Sequence, residues 1–288
     1  MQLYRVRLSL SVFFLVVSAG LWSTQHLTAQ RLDGALLNNL EYREIGPTRQ
    51  SGRFVDIAVP NQRPYTFYIA TASGGLWKTE NNGITFDVLF TDQDVFSIGA
   101  ITVAPSDPDI LYLGSGEANN SRSSYWGDGV YKSTNAGESW IHLGLPESHH
   151  IGRIVVHPSN PDIVYVAALG YLYSENEERG LYKTTDGGDS WIRVLGPEVE
   201  GRRIGVVDVV MDPSDTQTLY AATYDKVRLP FTFDLGGPGS RLYKSTNGGD
   251  SWIQLGAGLP EGMLGRIGVD VYERDPSIIY VTIENANK

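Results

Sequence analysis

Nine residues, Lys244-Ser-Thr-Asn-Gly-Gly-Asp-Ser-Trp252, recur almost unchanged at Lys183-Thr-Thr-Asp-Gly-Gly-Asp-Ser-Trp191 and Lys132-Ser-Thr-Asn-Ala-Gly-Glu-Ser-Trp140. A looser copy is Lys78-Thr-Glu-Asn-Asn-Gly-Ile-Thr-Phe86. The shared pattern is Ser/Thr, any, Asp/Asn, any, Gly, any, Ser/Thr, aromatic, and each part has a use in a tight hairpin. Asn81, Asn135, Asp186 and Asn247 can accept bonds from nearby backbone N–H groups and close an Asx-type turn. Gly83, Gly137, Gly188 and Gly249 suit a position with positive φ. Phe86, Trp140, Trp191 and Trp252 open the next strand with a large apolar anchor.

The repetition extends beyond the turn. Each copy follows an aromatic-bearing strand (Leu76-Trp77-Lys78, Val130-Tyr131-Lys132, Leu181-Tyr182-Lys183, Leu242-Tyr243-Lys244) and precedes a short alternating one. Upstream of each lies an apolar strand, a Pro/Asp/Ser/Asn turn and a strand ending in Tyr, as in Ile154-Val-Val-His-Pro-Ser-Asn-Pro-Asp-Ile-Val-Tyr165. Four strands per unit, repeating every ~50 residues, predict an all-β fold, a β-propeller of four-stranded blades. With strands a to d from the inside out, the repeated turn joins c to d.

Residues 1–30 read as a signal peptide, with basic Arg5 and Arg7 before an apolar run from Leu8 to Trp22 that is short for a membrane span. The chain is therefore expected to be exported to the periplasm, cell surface or extracellular space of a bacterium, with no membrane span after signal removal. Residues 31–288 read as an incomplete propeller: a latching strand at 41–46, blades at about 53–90, 97–144, 151–195 and 204–256, and a partial fifth at 265–288. Four and a half blades would leave unpaired strand edges, so a piece of a larger propeller is expected.

Composition narrows the function. The formal charge is −10 with no basic run, which argues against nucleic acid as a partner. There is no cysteine, so neither disulfides nor a lipoprotein anchor can form. No cofactor or metal is implied. His149 and His150 are adjacent and would point apart on a strand.

In a propeller the b–c and d–a loops share one face, opposite the repeated turns. The long irregular segments fall there: Gly116–Asp128, Leu169–Arg179, Tyr224–Asp234 and Ser148–Arg153. Long loops on a repeat scaffold carry binding or catalysis. The ligand-binding candidates are Glu117, Asn119, Asn120, Arg122, Tyr125, Trp126, His150, Arg153 and Arg179. Paired carboxylates would suit glycoside hydrolysis, and Glu117 and Asp128 are the first catalytic candidates.

The repeated turn is identified as an Asp-box, or bacterial neuraminidase repeat. From Glu44-Ile-Gly-Pro through Gly265-Arg-Ile-Gly the chain resembles bacterial exported propellers of the sortilin-like class. Ser73-Gly-Gly-Leu-Trp-Lys, Ser124-Tyr-Trp-Gly-Asp-Gly-Val-Tyr-Lys-Ser and Glu178-Arg-Gly-Leu-Tyr-Lys carry the likeness. Such proteins are often labelled glycosyl hydrolases, although a shared fold does not establish activity. Sialidases share the box but need an Arg-Ile-Pro motif; Arg153-Ile-Val, Arg203-Ile-Gly and Arg266-Ile-Gly lack the Pro. Xyloglucanase-type propellers resemble Thr71-Ala-Ser-Gly-Gly but carry a catalytic Asp where this chain has Ala72. The expected function is binding of a protein, peptide or glycan through the loop face, the alternative being a glycoside hydrolase acting on a polysaccharide.

Overall fold

The computed structural model describes residues 52–285; the proposed signal peptide and latching strand lie outside them. Among the described residues the fold is all-β, with one short 3-10 turn at Pro146–Ser148. The first sheet holds β1 (Phe54–Ala58), β2 (Phe67–Thr71), β3 (Leu76–Thr79) and β4 (Asp87–Leu89). The second holds β5 (Ile98–Ala104), β6 (Asp107–Ser115), β7 (Val130–Ser133) and β8 (Ile141–His142). The third holds β9 (Ile151–Val156), β10 (Val164–Ala168), β11 (Gly180–Thr184) and β12 (Ile192–Leu195). A short hairpin, β13 (Glu198–Val199) and β14 (Arg202–Arg203), leads into β15 (Gly205–Met211) and β16 (Leu219–Tyr224). A second hairpin, β17 (Val227–Arg228) and β18 (Phe233–Asp234), precedes β19 (Leu242–Ser245) and β20 (Ile253–Leu255). The last pair is β21 (Leu264–Val271) and β22 (Ile279–Asn285).

Each four-stranded sheet is an antiparallel meander, with β15-β16-β19-β20 forming the fourth around its inserted hairpin. The inner strands β1, β5, β9, β15 and β21 pack against one another in sequence order, as successive blades of a propeller. Because neither face of a blade is apolar enough alone, the core lies between blades. Tyr68, Leu76 and Phe90 of the first meet Ile98, Leu111 and Leu113 of the second. Tyr112 and Val130 meet Ile154, Val164 and Val166 of the third. Leu181 and Leu195 meet Val206, Val209 and Leu219 of the fourth. Tyr220, Tyr224 and Leu242 then meet Ile267 and Val269 of the last pair.

The repeated turns sit between strands c and d, and their hydrogen bonds explain the pattern residue by residue. The Asn135 side chain accepts from the Ser139 N–H (2.9 Å), while Ser133 Oγ accepts from the Gly137 N–H (2.9 Å). Asp186 with Ser190 and Asn247 with Ser251 repeat the first bond at 3.0 Å, as does Asn81 with Thr85 at 2.9 Å. Trp140 and Trp252 donate Nε1–H to the Gly137 and Gly249 carbonyls, whereas Trp191 donates to Leu143 O in the preceding blade (2.9 Å).

The Tyr expected to end strand b lies within it instead, and has a separate use. Tyr68 donates to Ala136 O, Tyr112 to Pro161 O and Tyr165 to Gly248 O, each in the next blade. The ammonium groups of Lys132 and Lys183 lie over the Tyr112 and Tyr165 rings. One phenol thus spans each of the first three seams. Tyr165→Phe removes a 2.8 Å inter-blade bond while Lys183 still donates to the same carbonyl. It is expected to lower the unfolding free energy by about 1 kcal/mol, read from urea unfolding of the full chain.

Candidate functional site

The loop from Gly116 to Asp128 divides into two parts with different roles. Its first part is a plug that crosses to other blades. Glu117 is fully buried, and its carboxylate accepts from Arg53 Nε (3.2 Å) and Nη2, Asn119 Nδ2 (3.1 Å) and Ser124 Oγ (3.0 Å). Arg53 belongs to the first blade, just ahead of β1. Asn119 Oδ1 accepts from Arg266 Nη1 (2.8 Å) on β21. The Asn120 carbonyl accepts from Arg228 Nη1 (2.6 Å) on β17, and Ala118 packs among Leu169, Val207, Tyr224 and Leu264. Three arginines from three other blades therefore close on one tetrapeptide.

This placement corrects the expected role of Glu117 and Asn120 as contacts open to a ligand, while Asn119 stays exposed beside Arg266. Burial alone would raise the Glu117 carboxyl, but the bonds from Arg53, Asn119 and Ser124 outweigh it and hold it below its ordinary value. A buried carboxylate whose acceptors are all engaged is a charged clamp, and it holds no proton to donate to a leaving group. Asp128, the other acid candidate, accepts from Tyr131 OH (2.8 Å) and Ser115 Oγ (3.2 Å) and lies at the return into β7.

The second part of the loop makes a groove. Arg122, Ser123, Ser124, Tyr125 and Trp126 form one wall of a cavity of about 450 Å³. His149 and His150 form its back, and Tyr171 to Ser174 form the facing wall. Trp126 is 66% exposed, Tyr125 48% and Tyr173 46%. These are large rings held out to solvent, an arrangement that marks a binding surface. Arg122 is exposed at the rim, with no hydrogen bond or ion pair to any described residue.

His149 is the residue that the sequence-based list of contacts omits. It adopts φ 50°, rare for a residue with a Cβ, and its ring lies 4.0 Å from that of Tyr171 and stacks at 6.4 Å on Trp126. Burial keeps the imidazole below its ordinary value, so it is neutral and aromatic in character at neutral pH. The Trp126–His149–Tyr171 run gives the groove a continuous π surface. His150 is buried behind it and donates from Nδ1 to Glu117 O (2.8 Å), which ties the groove to the plug. Burial, with Lys226 adding to it, brings His150 down to about 3.

The facing wall is braced from behind. Arg179 is buried, and its Nη2 donates to Tyr171 O (3.0 Å) and Ser174 O (2.7 Å), while its Nε donates to Asn176 Oδ1 (3.2 Å). Its expected contact with ligand is thus replaced by support of the residues that line the groove. Arg153 lies elsewhere. It sits on β9, pairs with Asp208 (3.0 Å), and faces a separate axial cleft of about 390 Å³ that is also lined by Thr102, Asp212, Asp270 and Glu273. The structure therefore gathers Arg122, Tyr125, Trp126 and His150 at the groove and places the other candidates in the plug, brace or axis.

No family model matches the chain. A xyloglucanase of Paenibacillus sp is 26% identical over 249 residues, covering 76% of this chain and 22% of that protein. A xyloglucanase of Acetivibrio thermocellus is 27% identical over 204 residues, covering 62% of the chain and 22% of its own length. The chain thus spans under a quarter of the curated relatives it matches. Among solved structures, an ancestral GH74 enzyme superposes with a TM-score of 0.61 at 21% identity, over 82% of this chain and 30% of that one. The fold is a β-propeller. The similarity reported runs to glycoside hydrolases, and the sortilin-like likeness drawn from the sequence has no support among these relatives.

Proposed function

We propose that the chain is a glycoside-hydrolase-type propeller that grips a polysaccharide of the xyloglucan class along the Trp126–His149–Tyr171 groove. The observation that supports this most is the set of exposed rings on facing walls. Sugar rings carry apolar C–H faces, which pack on the electron-rich faces of aromatic side chains while their hydroxyls stay in water. Neutral His149 extends that surface, and the rim guanidinium of Arg122 offers donors to hydroxyl oxygens. A glycan is favoured over a peptide or protein partner because curated relatives are named for xyloglucan.

Cleavage is a separate matter from grip. Glycoside hydrolysis uses two acids flanking the bond, roughly 5–9.5 Å apart. Among the described residues none of the groove's lining side chains is a carboxylate, and Ala72 stands where the xyloglucanase-type resemblance implies an acid. The described blades thus supply binding, and hydrolysis by the whole protein would require acids brought to the groove from outside its lining. Export, inferred from Arg5, Arg7 and the apolar run to Trp22, would bring the protein to a polymer found outside cells.

Calorimetric titration of the full chain with xyloglucan oligosaccharides, beside a reducing-end assay, tests this. Trp126→Ala is expected to weaken binding about tenfold, the worth of one aromatic platform. Wild-type protein that ignores xyloglucan, or binding indifferent to Trp126→Ala, would overturn the proposal.

A further inference from the structure

Among the described residues, Lys226 is the one buried cation near the groove with neither a carboxylate nor a short hydrogen bond of its own. It is 3% exposed, and its Nζ makes a single contact of 3.4 Å, to Tyr171 O. That carbonyl already accepts from Arg179 Nη2 at 3.0 Å. Two cationic side chains therefore share one oxygen, and that oxygen belongs to the residue whose ring stacks on His149.

The charges around Lys226 come from every element packed against it. Arg179 and Glu175 face it from the third blade's loop, Arg228 from β17 and His150 from the segment before β9. Asp225, its chain neighbour, is engaged by Arg202 (2.9 Å) and by the Gly239 N–H. Glu175, half exposed, pairs with Arg179 at 3.4 Å. The local balance is positive whenever Lys226 is charged.

We propose that Lys226 is a positioning residue for the groove: uncharged, it seats the Tyr171–Ser174 wall, and protonated, it is driven from Arg179 and Arg228 and loosens that wall. Burial, then Arg179, with Arg228 adding to it against the pull of Glu175, brings the ammonium down to about 7. The folded value lies below the unfolded one of 10.5, so the unfolded chain binds the proton more readily. The stability that goes with neutral Lys226 is fully present above about 10.5 and is lost as pH falls from there to about 7. A 3.4 Å bond to an oxygen already in use cannot offset two like charges in a low-dielectric interior. The device rests on the glycan-groove proposal only for what the wall grips.

Two measurements on the full chain separate the two ideas. Amide hydrogen exchange of residues 169–179, corrected for the intrinsic rate, needs no ligand. It is expected to rise as pH is lowered from 8.5 to 5.5 in wild type and to stay flat in Lys226→Met. Binding of a xyloglucan oligosaccharide is expected to weaken about tenfold over the same range in wild type only. Flat wild-type exchange overturns the role of Lys226, and does so even if the variant fails to fold. The same slope in Lys226→Met as in wild type also overturns it. Exchange that responds while no oligosaccharide binds at either pH keeps the prop and removes the glycan.

Discussion

Gly116→Ala is expected to destabilise the full chain by more than about 4 kcal/mol, the range in which a single substitution signals a specific structural collision. Gly116 has φ +81°, and a Cβ added there would lie 1.7 Å from His149 O and 2.6 Å from Gly127 N. Overpacking against side chains costs about 1–3 kcal/mol because side chains can rotate away. Here both neighbours are backbone, held by Gly127 N–H donating to His149 O at 2.8 Å and by Gly116 N–H donating to Ser97 O at 2.7 Å. Gly201→Ala is the control: its φ is +74° with nothing within 4 Å, so only the left-handed backbone is penalised, by about 1–2 kcal/mol. Unfolding midpoints of the two variants separate the effects, and equal losses would show that the close approach at His149 is absent.

The second large effect concerns the clamp on the plug. Arg53→Met is expected to lower stability by about 3 kcal/mol, because it strands a buried carboxylate that depends on its partner. Glu117→Gln should be milder, since Arg53 is half exposed and water can satisfy its guanidinium. The double variant should therefore recover part of the Arg53→Met loss. A double-mutant cycle by urea unfolding reads this directly. If Glu117→Gln were the more damaging change, the clamp account would be wrong.

The fold was legible because its information is local and repeated. Ser133, Asn135 and Gly137 close a turn using only their own neighbours, and the same chemistry at three other places leaves few architectures open. The Tyr after each Pro/Asp turn also announced itself, although its hydrogen bond across the blade seam could not be read from one blade. The site was legible only as a face of the molecule. Glu117, Asn119 and Asn120 resemble ligand contacts in sequence because they are polar residues in a long loop. Their partners Arg53, Arg266 and Arg228 are 64, 147 and 108 residues away, and no local pattern links them. Arg153 carried no mark separating the axial cleft from the groove. His149 could be found only through its backbone conformation and two ring neighbours, one of them on another blade's loop.

Blades stacked in a row ordinarily answer only to the blade on either side, so such arrays can fray from their ends in steps. The Glu117–Asn120 segment changes that connectivity, for it ties Arg53 at one end of the described row to Arg266 at the other. Loss of the first blade would release the segment that steadies the last, and the reverse holds too. Cooperative melting in this protein thus comes from a short polar crossing at the hub as well as from the greasy seams between neighbours.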